Sequence, residues 1–194
     1  MSNWGETKFV IEGEKGRQLY DKIMKAIEAC TEFDKEYAFD EVDGRKYAIS
    51  KSLKKDGQVE YIAGVQYSER TSLASWFTLD EIKFEDGHLY LMESFSSGYG
   101  TIEVYACETQ LYKDPGFFYY KTSESNFIGS TNDENEKYFM RLCEYVVNDP
   151  DSGFASQIPA DFYDQPYTDQ VAFCEAHPEE ITYYVTYIAD LNSI

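Results

Sequence analysis

The chain has 194 residues, and its 36 acidic and 17 basic side chains give a formal net charge of −19. Hydrophobic residues make up 43% of the chain and aromatic residues 17%, which is enough apolar surface for a folded core and excludes general disorder. A surface this negative repels nucleic-acid phosphates and anionic lipid headgroups, and no basic patch offsets it. We therefore expect no direct nucleic-acid binding and no membrane binding.

Compartment and cysteine chemistry follow from what the sequence lacks. Residues 1–14 contain no apolar run of signal-peptide length, and no stretch reaches the roughly 18 apolar residues of a membrane span. These features predict a cytoplasmic protein. The four cysteines, Cys30, Cys107, Cys143 and Cys174, form no Cys-x-x-Cys pair, so we expect buried free thiols rather than a zinc or redox motif.

The chain begins with a strand and an amphipathic helix. Residues 8–11 predict a short strand. Apolar side chains recur at helical spacing through residues 17–30 while charged side chains occupy the other faces, which predicts a helix with one buried stripe. Residues 31–43 mix acids with single aromatics and predict a loop anchored by aromatic side chains.

Two β-hairpins are predicted next. Residues 45–53 and 59–68 are rich in β-forming side chains and flank an Asp-Gly turn, which supplies the positive φ that tight hairpins need. Residues 76–85 and 88–95 repeat this arrangement around a second Asp-Gly turn.

The following segment is ambiguous. Residues 102–105 favour a strand by propensity, yet Ile102, Tyr105, Ala106 and Thr109 would also share one helical face. Propensity alone favours the strand. Residues 117–120 are four consecutive aromatics and predict a buried strand.

The C-terminal part leaves two alternatives open. Residues 137–147 fit a strand or a helix, and Thr168 can cap a helix that runs to about residue 176. Residues 181–188 favour a strand, although the preceding Pro-Glu-Glu is a helix-start signal, so both options remain.

Several short motifs, read together over residues 3–131, resemble the YubB-like ferredoxin-like family of mobile-element and phage proteins. They are Asn3-Trp4, Gly13-Glu14, Trp76, Glu93-Ser94-Phe95-Ser96-Ser97, and Phe118-Tyr119-Tyr120 followed by Phe127-Ile128-Gly129.

The resemblance implies an α+β fold, namely a ferredoxin-like βαββαβ antiparallel sheet over residues 1–131, with an inserted hairpin within an insert at about 31–75. It places the second helix at residues 99–111, against the local strand propensity. Residues 132–194 would form an acidic C-terminal α/β extension packed on that domain. The family offers no established activity to assign to a residue.

The negative charge is concentrated in the C-terminal part. Residues 122–194 hold two basic and fourteen acidic side chains, for a net charge of 2 − 14 = −12. Residues 1–56 hold eleven basic and twelve acidic ones, for 11 − 12 = −1. An acidic region supported by a nearly neutral one suggests a surface for a positively charged partner.

Tyrosines accompany these acids. Tyrosine offers a large contact area at low entropic cost, and carboxylates beside it can engage a basic protein. The alternative is that the tyrosines pack a β-rich extension. The residues expected to bind the partner are Asp149, Asp151, Asp161, Tyr163, Asp164, Tyr167, Asp169, Glu179, Glu180 and Tyr184.

Motifs for catalysis or cofactors are not evident. The two histidines, His88 and His177, fall in a predicted turn and at a predicted helix end, so we expect no catalytic triad and a solvated His88. Residues 149–153 resemble the start of a calcium loop, but position twelve is Ala160 rather than Glu, so a plain acidic turn is favoured. We expect no catalytic residue, no metal and no cofactor.

These observations favour a non-enzymatic acidic binding protein. Its expected partner is a basic protein, such as a host defence nuclease whose nucleic-acid-binding surface is blocked by mimicry of nucleic acid. The alternatives are a metal-dependent hydrolase that uses clustered carboxylates, and a domain whose charge only maintains solubility.

Overall fold

The computed structural model describes residues 4–30, 35–67, 70–96, 98–123 and 129–189. Parts of the segments used above lie outside these ranges, namely residues 31–34 of the predicted loop and residue 68 of the first hairpin, together with Asn3, Ser97, Phe127 and Ile128. The helices and strands are, in chain order, β1 (Trp4–Glu12), α1 (Gly13–Ala29), β2 (Glu36–Val42), β3 (Arg45–Leu53), β4 (Val59–Tyr67), β5 (Arg70–Phe77), β6 (Ile82–Glu85), β7 (His88–Ser96), α2 (Thr101–Glu108), β8 (Phe117–Ser123), β9 (Ser130–Thr131), β10 (Phe139–Val147), α3 (Tyr167–Glu175) and β11 (Ile181–Ala189).

Most strands belong to one antiparallel sheet. Its order is β2-β3-β4-β5-β7-β1-β8-β9, and β6 pairs with β7 beside this path. A second sheet contains only β10 and β11, paired antiparallel from Phe139–Ala189 to Val147–Ile181. The expected α+β class, with a mostly antiparallel sheet, is therefore confirmed.

Both α1 and α2 cover the same face of the large sheet. Phe9 and Ile11 of β1 share a buried core with Ile23 of α1 and Ile102 of α2. Helix α1 occupies the predicted segment but begins earlier, at Gly13. Gly16 brings it against the sheet, because a Cβ at this position would lie 2.1 Å from the Ile11 carbonyl oxygen.

Helix α2 forms within the segment that local propensity favours as a strand, so the helical alternative is the one observed. Ile102 and Ala106 are almost fully buried against the sheet. The carboxylate of Glu93, in the neighbouring β7, accepts hydrogen bonds from the N–H groups of Ile102 and Glu103 at 3.0 and 3.1 Å. The free N–H groups of the first turn thus find an acceptor that local sequence does not reveal.

Two expectations were wrong. Residues 36–42, predicted as loop, form β2, which pairs with β3 through a bulge between Ala38 and Asp40. The predicted arm 76–85 is divided, since β5 ends at Phe77 and a short 3-10 turn precedes β6. In that turn the Glu81 carboxylate accepts from the Thr78 N–H and hydroxyl, a capping box that interrupts the strand.

The C-terminal alternatives are both decided in favour of strands, since residues 139–147 form β10 and residues 181–189 form β11. Helix α3 lies close to its predicted position. Within the residues that the structure describes, no helix is long and apolar enough to span a membrane.

Candidate functional site

The C-terminal unit, defined as residues 132–189, rests on the sheet face opposite the helices. Neighbouring residues of a strand point to opposite faces, so Val10 faces away from the helices that Phe9 and Ile11 contact. Val10 shares a buried cluster with Tyr138 and Phe139, which lead into β10. The unit therefore covers part of a sheet face that would otherwise meet solvent.

Asp133 organises the turn that starts this unit. Its side chain is 2% exposed and accepts hydrogen bonds from the backbone N–H groups of Lys137, Tyr138 and Phe139. The three donors supply hydrogen-bond partners for the buried carboxylate oxygens, and they fix the direction in which β10 leaves the sheet.

Glu12, at the end of β1, links the two parts of the molecule. Its carboxylate accepts hydrogen bonds from the Lys137 ammonium and the Tyr138 hydroxyl. Burial acts to raise the pKa of Glu12, but these bonds outweigh burial and lower it. His88 faces the same carboxylate at 3.9 Å and packs on Tyr138, so the expectation that this histidine is solvated was wrong.

A small core holds the C-terminal unit together. Cys143, Phe154, Phe162, Cys174 and Ile181 are buried in it. Several tyrosines pack on this core, as the packing alternative expects: Tyr145, Tyr167 and Tyr183. Among the tyrosines expected to bind a partner, Tyr163 is 49% exposed, while Tyr167 and Tyr184 are half-buried.

Four of the expected partner-binding acids meet at one end of the β10–β11 ribbon. Asn148, just after β10, donates from its backbone N–H to the Glu180 carbonyl at 2.8 Å and from its side chain to the Glu179 carbonyl at 3.0 Å. These bonds place Asp149, the next residue, at the same end of the ribbon as Glu179 and Glu180, and Asp151 follows in the short turn after it. We call these four acids the ribbon-end cluster; Asp149, Asp151 and Glu179 are exposed and Glu180 is half-buried.

The remaining expected acids lie around the start of α3. Asp161 precedes the short turn before the helix, Asp164 is the last residue of that turn, and Asp169 is in the first turn of α3; all three are exposed. We call them the helix-start cluster. The amide N–H groups at a helix N-terminus stabilise nearby negative charge, which suits these positions. The seven predicted acids thus fall into two groups. Of the three predicted tyrosines, Tyr163 and Tyr167 lie beside the second group and Tyr184 lies on β11.

Two acids near these clusters were missed in the sequence. Glu144 accepts from the Tyr163 hydroxyl at 3.4 Å, while the Tyr163 ring stacks on Tyr145 at a centroid distance of 5.9 Å. Burial and the nearby Glu144 charge raise the pKa of Tyr163 to about 12, so its hydroxyl remains a donor. Glu175 accepts from the Tyr183 hydroxyl at 3.2 Å. The sequence signal for Glu144 is its place between Cys143 and Tyr145: if residues 139–147 form a strand, its side chain points to the face opposite theirs.

Both basic side chains of the C-terminal unit form ion pairs with carboxylates. Lys137 pairs with Glu12 and Arg141 pairs with Glu136. Their charges are thereby balanced close to the junction with the large sheet. The two acid clusters lie on other segments of the unit and dominate its outer surface charge.

The residues considered for metal or catalytic chemistry have structural contacts. Asp149 accepts from the Asp151 N–H at 3.0 Å, so residues 149–153 form an ordinary capped turn. His177 bonds the Phe173 carbonyl oxygen at 2.8 Å and packs on the Phe173 ring. In the described ranges, no group of three or more His, Cys, Asp or Glu side chains is placed to hold a metal ion.

A second surface lies on the same sheet face, beside the part that the described residues of the C-terminal unit cover. Trp4 and Trp76 meet edge to face with ring centroids 5.2 Å apart, and Trp4 is 47% exposed. They line a hollow of about 250 Å³. A more apolar hollow of about 280 Å³, which includes Met92 and Phe139, lies on the same sheet face against the C-terminal unit.

In comparisons with known proteins, no family model, no curated protein and no solved structure matches this chain. The resemblance to YubB-like proteins therefore stays a prediction.

Proposed function

We propose that this protein is a cytoplasmic, non-enzymatic binding protein whose acidic C-terminal unit docks on a positively charged protein surface. The observation that carries the proposal is the arrangement of charge: two clusters of mostly exposed carboxylates project from a unit whose lysine and arginine are already in ion pairs. The exposed ring of Tyr163 beside Glu144 adds contact area next to the second cluster.

The partner class follows from the same charges. A basic surface that normally binds phosphates presents lysines and arginines at spacings that carboxylates can also engage. We propose a nucleic-acid-binding protein as partner, specifically a host defence nuclease that a mobile-element protein would inhibit by mimicking nucleic acid. This finer proposal also depends on the family resemblance.

The order of the central strands supports the proposed ferredoxin-like core. Strands β5, β7, β1 and β8 are adjacent in this order, with α1 after β1 and α2 after β7. This is the order expected of a βαββαβ sheet, and β2 to β4 would then be the insert. A compact core of this kind would carry the acidic unit on its open face.

The test is a pull-down from a bacterial lysate with the purified chain as bait. A basic nucleic-acid-binding protein should be retained at about 50 mM salt, released at about 500 mM salt, and displaced at low salt by duplex DNA. Both effects are expected because phosphates and salt ions compete for the same cations.

Two charge-neutralised variants locate the surface. The first variant combines Asp151→Asn, Glu179→Gln and Glu180→Gln, and so neutralises three of the four acids of the ribbon-end cluster. This loss of charge should weaken binding, mainly because association becomes slower. A matched control neutralises three exposed acids of the first domain, Glu14, Glu28 and Glu41, and should bind like the unmodified chain.

Three results would contradict the proposal. One is that no basic nucleic-acid-binding protein is retained at low salt. Another is that duplex DNA at low salt does not displace the retained protein from the bait. The third is that the ribbon-end variant and the matched control bind equally well, since the acidic unit would then not be the docking surface.

A further inference from the structure

Cys143 and Cys174 are in contact inside the C-terminal unit. Cys143 is on β10 and Cys174 is on α3, and their sulfur atoms are 3.6 Å apart. Both residues are buried, with exposures of 0% and 1%. They come from separate elements, so this contact is made by the tertiary fold and not by sequence proximity.

Gln170 holds the two elements in register. Its side-chain oxygen accepts from the Cys143 backbone N–H at 2.9 Å, and its side-chain amide donates to the Gln165 carbonyl oxygen at 2.8 Å. Gln170 precedes Cys174 by one helical turn and therefore lies on the same face of α3. One face of the helix thus contacts Cys143 twice, through a hydrogen bond and through sulfur, which restricts how the two thiols can move apart.

We propose that Cys143 and Cys174 are a reversible dithiol–disulfide pair that covalently joins β10 to α3 when the protein meets an oxidant of the small-disulfide class. This proposal does not depend on the proposed binding function. To form the bond, the sulfur atoms must approach from 3.6 Å to about 2.05 Å, a movement that side-chain rotation can supply in part.

The chemistry balances with oxidised glutathione as the oxidant. One cysteine thiolate attacks a glutathione sulfur, forms a mixed disulfide and releases one glutathione thiolate. The second cysteine thiolate then attacks the protein sulfur of the mixed disulfide and releases the second glutathione. The protein loses two protons and two electrons, and one oxidised glutathione becomes two reduced molecules.

The reaction should be slow in the folded protein. Burial raises the pKa of Cys143 to about 12 and also raises that of Cys174, so little thiolate is present at neutral pH. Once formed, the bond should be equally protected from reductants, because burial limits access to the sulfur atoms.

The bond would close residues 144–173 into a loop. This loop carries the helix-start cluster, two acids of the ribbon-end cluster and Tyr163. Closing a loop of this length reduces the entropy of the unfolded chain, so the oxidised form should unfold at a higher temperature.

The experiment uses the full chain and oxidised glutathione at pH 8, followed by alkylation of remaining thiols under denaturing conditions and peptide mass mapping. We expect a cross-linked peptide pair containing Cys143 and Cys174, two hydrogens lighter than the reduced pair. The melting temperature should rise by roughly 5 °C, and prolonged incubation with dithiothreitol should slowly reverse both changes.

The other cysteines supply controls. Cys107 is exposed and Cys30 donates to the Ile49 carbonyl oxygen at 3.4 Å, so neither belongs to the pair. Cys107→Ser should leave the cross-link and the temperature shift unchanged. Cys143→Ser and Cys174→Ser should each abolish both.

The proposal is overturned if long exposure leaves Cys143 and Cys174 fully alkylated. It is also overturned if the only products are glutathione adducts on Cys107 or dimers joined through Cys107. Both readouts come from the unmodified chain, so they hold even if a serine variant fails to fold.

Discussion

Glu93 is a fully buried carboxylate whose bonding partners come from two elements. It accepts from the Ser75 hydroxyl at 2.7 Å and from two backbone N–H groups at the start of α2. Burial disfavours its charge more than these donors favour it and raises its pKa from the ordinary value of 4.5 to about 7. Gly100 permits this approach, because a Cβ there would lie 2.0 Å from a Glu93 carboxylate oxygen.

This shift predicts a stability loss as the pH rises. The contribution of Glu93 is complete below pH 4.5, the ordinary pKa, and is lost as the pH rises through its folded pKa of about 7. The change corresponds to about 3 kcal/mol in the free energy of unfolding. Glu93→Gln removes the titration, so urea unfolding between pH 5 and pH 8 should show a pH dependence smaller by about that amount.

Glu6→Gln is the matched control, because Glu6 is an exposed carboxylate of the same sheet. It should keep the pH dependence of the unmodified chain. If the free energy of unfolding of Glu93→Gln depends on pH as strongly as that of the unmodified chain, the prediction that Glu93 has a raised pKa in the folded protein is wrong.

At the scale of elements, α3 depends on one buried side chain. Gln170 is 2% exposed and supplies the acceptor for a backbone N–H of β10. Only two residues of α3 are fully buried, Gln170 and Cys174, and of these only Cys174 is apolar. The helix is therefore held by a specific hydrogen bond in addition to the packing of Cys174 and of the half-buried Tyr167, Val171 and Phe173.

Gln170→Ala should destabilise the chain by about 1–3 kcal/mol, because the Cys143 N–H is left buried without an acceptor. Urea unfolding monitored by circular dichroism measures this loss. Gln157→Ala, at an exposed position of the same unit, should change the free energy of unfolding by less than about 0.5 kcal/mol. Equal effects of the two variants would show that the Gln170 bond adds nothing to stability.

Elements were predictable where a single segment contains its own signal. The apolar stripe of α1 and the Asp-Gly turns of the hairpins are local patterns, and both were predicted from them. The capping box of Thr78 and Glu81 is also a local signal, but it lies within a run of β-forming side chains that predicts one continuous strand. Strand β2 could not be read locally, because only Phe39 among its residues is buried and pairing with β3 defines it.

At the scale of the whole molecule, repulsion among the excess negative charges destabilises the fold, whereas ion pairs stabilise it. Pairs between exposed or half-exposed side chains, such as Lys54 with Glu60, are weak because water and salt screen their attraction. The net charge of −19 acts over the whole surface and favours expansion of the chain. Repulsion among so many unbalanced charges should therefore exceed the sum of the weak surface pairs.

Screening should then stabilise the protein. Raising NaCl from about 20 mM to about 500 mM shortens the Debye length several-fold, so the melting temperature should rise. The ribbon-end variant, with three fewer negative charges, should melt higher than the unmodified chain at low salt and show a smaller salt effect. A melting temperature that falls with salt would mean that ion pairs such as Lys137 with Glu12 dominate.

The sequence by itself determined the first helix, the hairpins and the uneven distribution of charge, because each depends on composition or on local periodicity. Tertiary structure decided that residues 101–108 form a helix, since Glu93 and the sheet supply its capping and burial. It also decided that the expected acids form two clusters and that Cys143 meets Cys174, because long-range hydrogen bonds from Asn148 and Gln170 bring those segments together.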